Sequence, residues 1–306
     1  MKVIVAGLGI QGNKRRSIAG ADYVASVDPA KTEADYRSVE DVPLADYEAV
    51  LTCVPDDAKL ALVRYCLENG KHVLVEKPLW APRDGDLEAL EDLSRSKGAV
   101  LYTAYNHRFE PHFVRMRDLI ASGKLGAIYS CRMFYGNGTA RLVRDSAWRD
   151  TGAGVLPDLG SHLLDTCRFW FGEMPDTFRV IAANRFENRA PDHVIIGSEE
   201  HRPRLELEMT LCMWRNHFTC DILAEKGSAH IESLCKWGPS TFVHRQRVLP
   251  SGRPIETVAT VPEGDPTWAL EYAHFKDLCR NRAATDLRHD IWLQRTLRRL
   301  SREIVP

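Results

Sequence analysis

Apolar residues fall along this chain in two rhythms. Short runs rich in Val, Ile and Leu recur at Lys2–Ala6, Tyr23–Val27, Ala49–Val54, His72–Val75 and Val100–Thr103. Continuous apolar runs this short predict strands buried on both faces. Between them apolar positions recur at helical spacing. Leu60, Ala61, Val63 and Leu67 do so within Asp57–Asn69, which stops at Asn69-Gly70. Leu87, Leu90 and Leu93 do so within Asp84–Ser96, just before Gly98. Asn and Gly end helices because both tolerate left-handed backbone. Strand and helix in regular alternation predict an α/β domain with a doubly wound parallel sheet.

The rhythm changes after the helix-like Pro111–Ser122 and the glycine break Gly123–Gly126. A strand is predicted at Ala127–Phe134 and a helix near Asp158–Phe171. Strand-like runs follow at Thr177–Ala183, Arg204–Cys212, His217–Ala224, Ala229–Ser233, Thr241–Val248 and Ile255–Val261. Without long helices between them, these runs predict a mostly antiparallel sheet. Trp268–Arg282 and Leu287–Ile304 read as closing helices. The expected division is therefore residues 1–122 and 123–306, two domains from 306 residues.

Charge narrows the partners. The 41 Lys+Arg against 42 Asp+Glu leave a net charge of −1, which argues against a nucleic-acid surface. No apolar run is long enough to span a membrane. The eight cysteines are scattered without a C-x-x-C pair. That pattern predicts reduced thiols in a cytoplasmic protein, with neither a disulfide framework nor a zinc site.

Three segments carry candidate chemistry. The first is Gly7-Leu8-Gly9-Ile10-Gln11-Gly12, directly after the first strand and opening a helix. The first glycine allows the turn, the second lets backbone approach a pyrophosphate, and the third lets helix pack on strand. The free N–H groups of the helix start would face the phosphates. Asp28 ends the second strand, where a carboxylate accepts from ribose hydroxyls and repels a 2′-phosphate. NAD is favoured, with NADP possible. Lys14, Arg15 and Arg16 lie close by and read either as tolerance for extra phosphate or as a solvated helix face.

The second segment is Glu76-Lys77-Pro78, at the carboxyl end of the fourth strand, where parallel sheets border their ligands. The third contains Asp158, His162 and Asp165. On one helix they would share a face, with His162 as acid or base and a carboxylate to orient it. No third His or Cys stands at helical spacing, so a metal site is not expected.

These segments together resemble the Gfo/Idh/MocA oxidoreductases, the family of glucose–fructose oxidoreductase and inositol dehydrogenase. The likeness rests on Gly7–Gly12, Cys53–Leu79, Tyr105–Gly126 and Gly152–Gly172, in the family's order. It implies a Rossmann domain plus a domain built on a large open-faced, mostly antiparallel sheet, assembled as a homodimer or homotetramer through that sheet. It implies NAD(P)-dependent hydride transfer to or from a ring carbinol or ketone of a sugar, sugar nucleotide or cyclitol. Lys77 matches the family's E-K-P lysine, and Asp158 and His162 match its D-x-x-x-H pair. These three would act on the reacting hydroxyl, His162 as base and Lys77 stabilising the alkoxide. The cofactor contacts implied are Gly7, Gly9, Ile10, Gln11, Gly12, Asp28, Pro55, Glu76, Lys77 and Asn106.

Two departures stand out. The common T-P-N-x-x-H reads Val54-Pro55-Asp56-Asp57-Ala58-Lys59, and the first helix looks about a turn short. Substrate contacts are expected from Lys77, Asp158 and His162, and from a loop-like stretch holding Arg141, Arg144, Trp148 and Arg149. Planar arginine forks there would suit an anionic substrate, and Trp148 a sugar face. The alternative from another class is a non-enzymatic NAD(P)-binding sensor or regulator on the same fold. Lys77, Asp158 and His162 standing together favour the enzyme.

Overall fold

The computed structural model describes residues 1–146, 149–198 and 202–305. The chain divides into two compact units. One holds Met1–Asn106 and Thr267–Gln294, the other His107–Pro266 and Arg295–Pro306. Among the described residues no helix is long and apolar enough to cross a membrane.

The first unit is an all-parallel sheet of β1 (Val3–Ala6), β2 (Tyr23–Val27), β3 (Ala49–Thr52), β4 (His72–Glu76) and β5 (Leu101–Ala104), in the order β2-β1-β3-β4-β5. The connecting helices are α1 (Ile10–Ala19), α2 (Asp56–Glu68) and α3 (Asp86–Lys97). Val3 and Val5 pack on one face of the sheet, Ile4 and Ala6 on the other, and all four are fully buried. That is why the strand sequences are apolar throughout rather than alternating. Sheet order brings the carboxyl ends of β1 to β4 to one edge, and with them Gly7, Asp28, Cys53 and Glu76.

The second unit opens with α4 (Pro111–Ala121), β6 (Ile128–Gly136), the short helix α5 (Ala140–Arg144) and α6 (Ser161–Phe171). The strands β7 (Arg179–Asn184), β8 (His193–Ser198), β9 (Arg204–Thr210), β10 (His217–Ala224), β11 (Gly227–Glu232), β12 (Ser240–Val248) and β13 (Gly252–Val261) follow. They form one eight-stranded sheet in the order β13-β12-β11-β10-β6-β9-β8-β7. Every neighbouring pair is antiparallel except β6 with β9. Strands alternate here: Cys131, Met133 and Tyr135 of β6 turn inward, while Arg132 turns out to Glu206 and Glu208. The inner face packs under α4 and α6, where Phe113 meets Trp170 and Phe218 at ring-centroid distances of 5.1 and 5.0 Å.

The observed division differs from the expected one at residue 122. Helix α4 belongs to the second unit because its Phe113 is buried there, with its carbonyl accepting from Trp170 Nε1 at 3.0 Å. Helix α7 (Thr267–Arg280) returns to the first unit, since Tyr272 and Phe275 complete the core on one face of the parallel sheet. The division falls within α8 (Arg288–Ile304). Arg299 ties the end of α8 into the second unit. It bonds Asp176 at 2.9 and 2.5 Å and the Phe178 carbonyl at 2.7 Å. Strand β8, His193–Ser198, adds to the strands expected from the sequence.

Candidate active site

The glycine turn is built by sterics. Gly7 has φ +91°, and a Cβ there would lie 2.5 Å from the Cys53 carbonyl oxygen. A Cβ on Gly12 would lie 1.7 Å from the Gly7 carbonyl oxygen. Both positions therefore exclude any other residue. Gly9 differs: a Cβ there would meet nothing within 4 Å. It stands at the start of α1, beside the exposed Ile10 and Gln11. The first N–H groups of a helix have no carbonyl four residues back to accept them. Open space beside such donors is what a pyrophosphate requires, so the turn fits a dinucleotide.

Asp28 closes the cradle. Its Oδ2 accepts from Leu8 N at 2.8 Å, and its Oδ1 from Ala30 N and Lys31 N at 2.9 and 3.0 Å. Partial burial pushes the carboxyl up, but the three backbone bonds outweigh it and hold the group below the usual carboxylate range. An anion fixed at the end of β2 suits ribose hydroxyls. Arg15 is neither a solvated residue nor free to meet extra phosphate. It is 1% exposed and bonds Glu76 Oε1 and Glu271 Oε2, both at 2.7 Å.

Around Lys77, Glu76 accepts from Arg15, and Lys59 supports the Pro78 carbonyl at 3.1 Å. Lys59 thus stands buried where the family pattern has histidine, and also pairs with Asp56 at 2.6 Å. Pro55 caps the start of α2 and is exposed. Asn106 is buried and donates to Thr267 Oγ1 at 3.0 Å.

In the second unit, Asp158, His162 and Asp165 do not share one α-helical face. Leu156–Gly160 is a π-helical turn, and α6 begins only at Ser161. Pro157 has no N–H for a regular ladder, and a Cβ at Gly160 would lie 2.8 Å from Met209 Sδ on β9. The three side chains part company. Asp165 is fully buried and tied to Arg108 at 2.9 and 2.5 Å. Asp158 is 44% exposed and faces Arg149 at 3.6 Å. His162 is buried and stacked on His107, with centroids 4.0 Å apart and planes 17° from parallel.

Sequence reasoning missed the surroundings of His162. Tyr135 lies 5.6 Å from the His107 ring and 5.9 Å from the His162 ring. Burial and the charge of Asp158 push the Tyr135 phenol above its ordinary range. The Lys236 ammonium donates to His107 Nε2 at 3.1 Å and lies over the Trp237 ring at 4.6 Å. His107 was adjacent to a residue already singled out, Asn106. Tyr135, Lys236 and Trp237 carried no spacing signal.

The arginines do not converge. Arg141 faces Glu187 at 3.9 Å, Arg144 faces Asp145 at 3.9 Å, and Arg149 faces Asp158. Arg141 and Arg144 stand on the short helix α5, not on a loop. Trp148 lies outside the described residues.

Fold and glycine turn define the class first: a dinucleotide-binding α/β unit joined to an open-sheet unit. Residues 5–105 match the oxidoreductase family with an NAD-binding Rossmann fold, and residues 113–230 match the GFO/IDH/MocA C-terminal domain. The chain belongs to this Gfo/Idh/MocA family. It is 36% identical over 196 residues to an uncharacterised oxidoreductase of Schizosaccharomyces pombe, covering 57% of this chain and 52% of that protein. It is 31% identical over 145 residues to scyllo-inositol 2-dehydrogenase (NADP(+)) IolW of Bacillus subtilis, covering 46% and 38%. The chain thus spans about half the length of the curated relatives it matches. A levoglucosan dehydrogenase solved with NADH and L-sorbose has the same fold, with a TM-score of 0.82 at 18% identity over 99% of this chain and 96% of that one.

Proposed function

We propose that this chain is an NAD(P)-dependent dehydrogenase or reductase acting on a ring carbinol or ketone of a sugar, sugar nucleotide or cyclitol. The observation that carries the reading is His162. It is a buried histidine, four residues after an accessible carboxylate, in a chain whose other unit holds an open dinucleotide cradle. Relatives named for inositol and levoglucosan oxidation support the substrate class.

Gly7, Gly9, Ile10, Gln11, Gly12 and Asp28 would hold the dinucleotide, with Pro55, Glu76, Lys77 and Asn106 toward its reactive end. When bound, the nicotinamide supplies the hydride acceptor or donor. His162 takes the hydroxyl proton during oxidation and returns it during reduction. The Lys77 ammonium donates to the same oxygen and stabilises its negative charge. Asp158 accepts from substrate or from His162 and favours the imidazolium that forms. Arg149, already beside Asp158, is a substrate contact where the substrate is anionic, and Trp148 completes that set.

The test is absorbance of the reduced nicotinamide with a panel of cyclitols, sugars and sugar nucleotides, using NAD and NADP in turn. Turnover with one substrate class, lost in His162→Ala, is the expected result. Cofactor binding with no turnover on any class would favour the sensor reading. We further infer assembly of two or four copies through the open face of the eight-stranded sheet. Support comes from Ile181, Leu223, Ile255 and Val258, apolar side chains left 54–61% exposed on its strands. Light scattering checks it, and a monomer would overturn it.

A further inference from the structure

A fully buried cation lies behind the nucleotide cradle and takes no part in the proposed proton transfers. Arg15 sits one turn beyond Gly12 on α1 and is 1% exposed. Its Nε donates to Glu76 at the end of β4, and its Nη2 to Glu271 of α7. Glu271 is fully buried. The guanidinium carbon lies 4.2 Å from the centroid of the Trp268 ring, and Lys14 Nζ lies over the same ring at 4.2 Å. Two carboxylates and an aromatic face therefore fix the guanidinium in one orientation.

The same helix makes a second, independent bond to this region. Thr267, the first residue of α7, accepts from Asn106 just past β5. Helix α7 thus holds two of the residues placed at the reactive end of the cofactor, Asn106 directly and Glu76 through Arg15. On the other side of Lys77, Lys59 holds the Pro78 carbonyl. Lys77 is flanked by two neighbours, each tied to a buried cation.

We propose that Arg15 is a positioning residue for the cofactor's reactive end: it fixes Glu76, and with it the backbone presenting Lys77, on a support supplied by α7. The inference rests on the proposed dehydrogenase reading. It goes beyond that reading by giving a function to a residue that touches neither cofactor nor substrate.

Arg15→Met alone takes the guanidinium away from the fully buried Glu271 carboxylate, so it is a poor probe. Arg15→Met combined with Glu271→Met removes both charges and keeps the volume. This double variant should melt within about 5 °C of the wild type. Its kcat should fall about tenfold to a hundredfold, with a smaller change in KM for the sugar or cyclitol. NADH binding, followed by fluorescence, should weaken by about tenfold. Arg15→Lys, which keeps a cation, should recover part of both losses.

Hydrogen exchange on the cofactor-free protein is the readout that does not need activity. The segment from Glu76 to Leu79 should exchange about tenfold faster in the double variant than in the wild type. A folded double variant with kcat, NADH affinity and exchange within about twofold of wild type overturns the positioning role. Wild-type protein that binds no NADH overturns the dehydrogenase reading. In that case faster exchange at Glu76–Leu79 still upholds the link from Arg15 to the Lys77 backbone, and unchanged exchange removes it.

Discussion

The candidate ligand surface of the parallel-sheet unit is made of backbone, and that of the antiparallel-sheet unit is made of side chains. At the glycine turn the chemistry is a bend, an open approach at Gly9 and the N–H groups of α1. Around His162 it is two stacked imidazoles, a phenol, a lysine and an indole from the segment before α4, β6, α6 and the segment after β11. A backbone surface recognises what all substrates of a family share, here the dinucleotide. A side-chain surface can change one residue at a time, so it is the place for substrate choice. The two units also fail differently. Substitution at the glycine turn is expected to obstruct folding or cofactor binding, and substitution at His162 to change rate.

That contrast can be broken by mutation. The largest effect is expected for His162→Ala. Loss of a general base lowers kcat by about 10²–10⁴-fold at unchanged NADH affinity. A rate within about twofold of wild type removes His162 from the chemistry. Gly12→Ala comes next. A methyl 1.7 Å from the Gly7 oxygen must move backbone, so stability falls by more than about 3 kcal/mol in a denaturant melt. Gly9→Ala is its control. It should fold within about 1 kcal/mol of wild type yet bind NADH about tenfold more weakly, because the methyl enters the pyrophosphate space.

Smaller effects sharpen the comparison. Arg108→Ala removes the guanidinium that faces the buried Asp165 carboxylate and should cost about 2–3 kcal/mol of stability, measured by chemical denaturation. Asp28→Asn addresses pH. The carboxyl of Asp28 is held below its ordinary value, so ionisation stabilises the fold above the unfolded carboxylate range near pH 4. The wild type's advantage over Asp28→Asn should be full at neutral pH and shrink as pH falls through the acid range. Arg149→Ala is the mildest. Its exposed pairing with Asp158 is worth less than about 1 kcal/mol, so melting should hardly move. Its KM should rise only for an anionic substrate.

Legibility followed the same divide. The five parallel strands were readable because each is a local apolar run, and β2 begins and ends where its sequence predicts. The glycine turn was readable because Gly7, Gly9 and Gly12 lie within one short stretch and Asp28 closes the next strand. Asp158 and His162 were visible from a short motif, but not the π-helical turn that sets Asp158 apart from His162 and Asp165 on α6. That turn answers to Pro157 and to the close approach of Met209, and Met209 lies on a strand far along the chain. His107 stacks on His162 from the segment before α4, and Tyr135 and the Lys236 that bonds His107 come from β6 and from the segment after β11, which pairing through β10 joins in one sheet and no local spacing encodes. Arg15 was misjudged for a related reason. On α1 alone it looks like surface, and the glutamate that buries it lies 256 residues later.

The return of α7 to the first unit bears on how the protein is made. Chains fold as they emerge, N-terminal segments first. When residue 106 has left the ribosome, all five parallel strands and the glycine turn are available. Tyr272, Phe275 and Glu271 are not, so one face of the sheet lacks part of its cover and Arg15 has only Glu76 of its two carboxylate partners. The unit that reads first in sequence is therefore completed only after the whole antiparallel sheet has been translated. A nascent chain stalled before Thr267 would present an exposed apolar face, the kind of surface that chaperones hold.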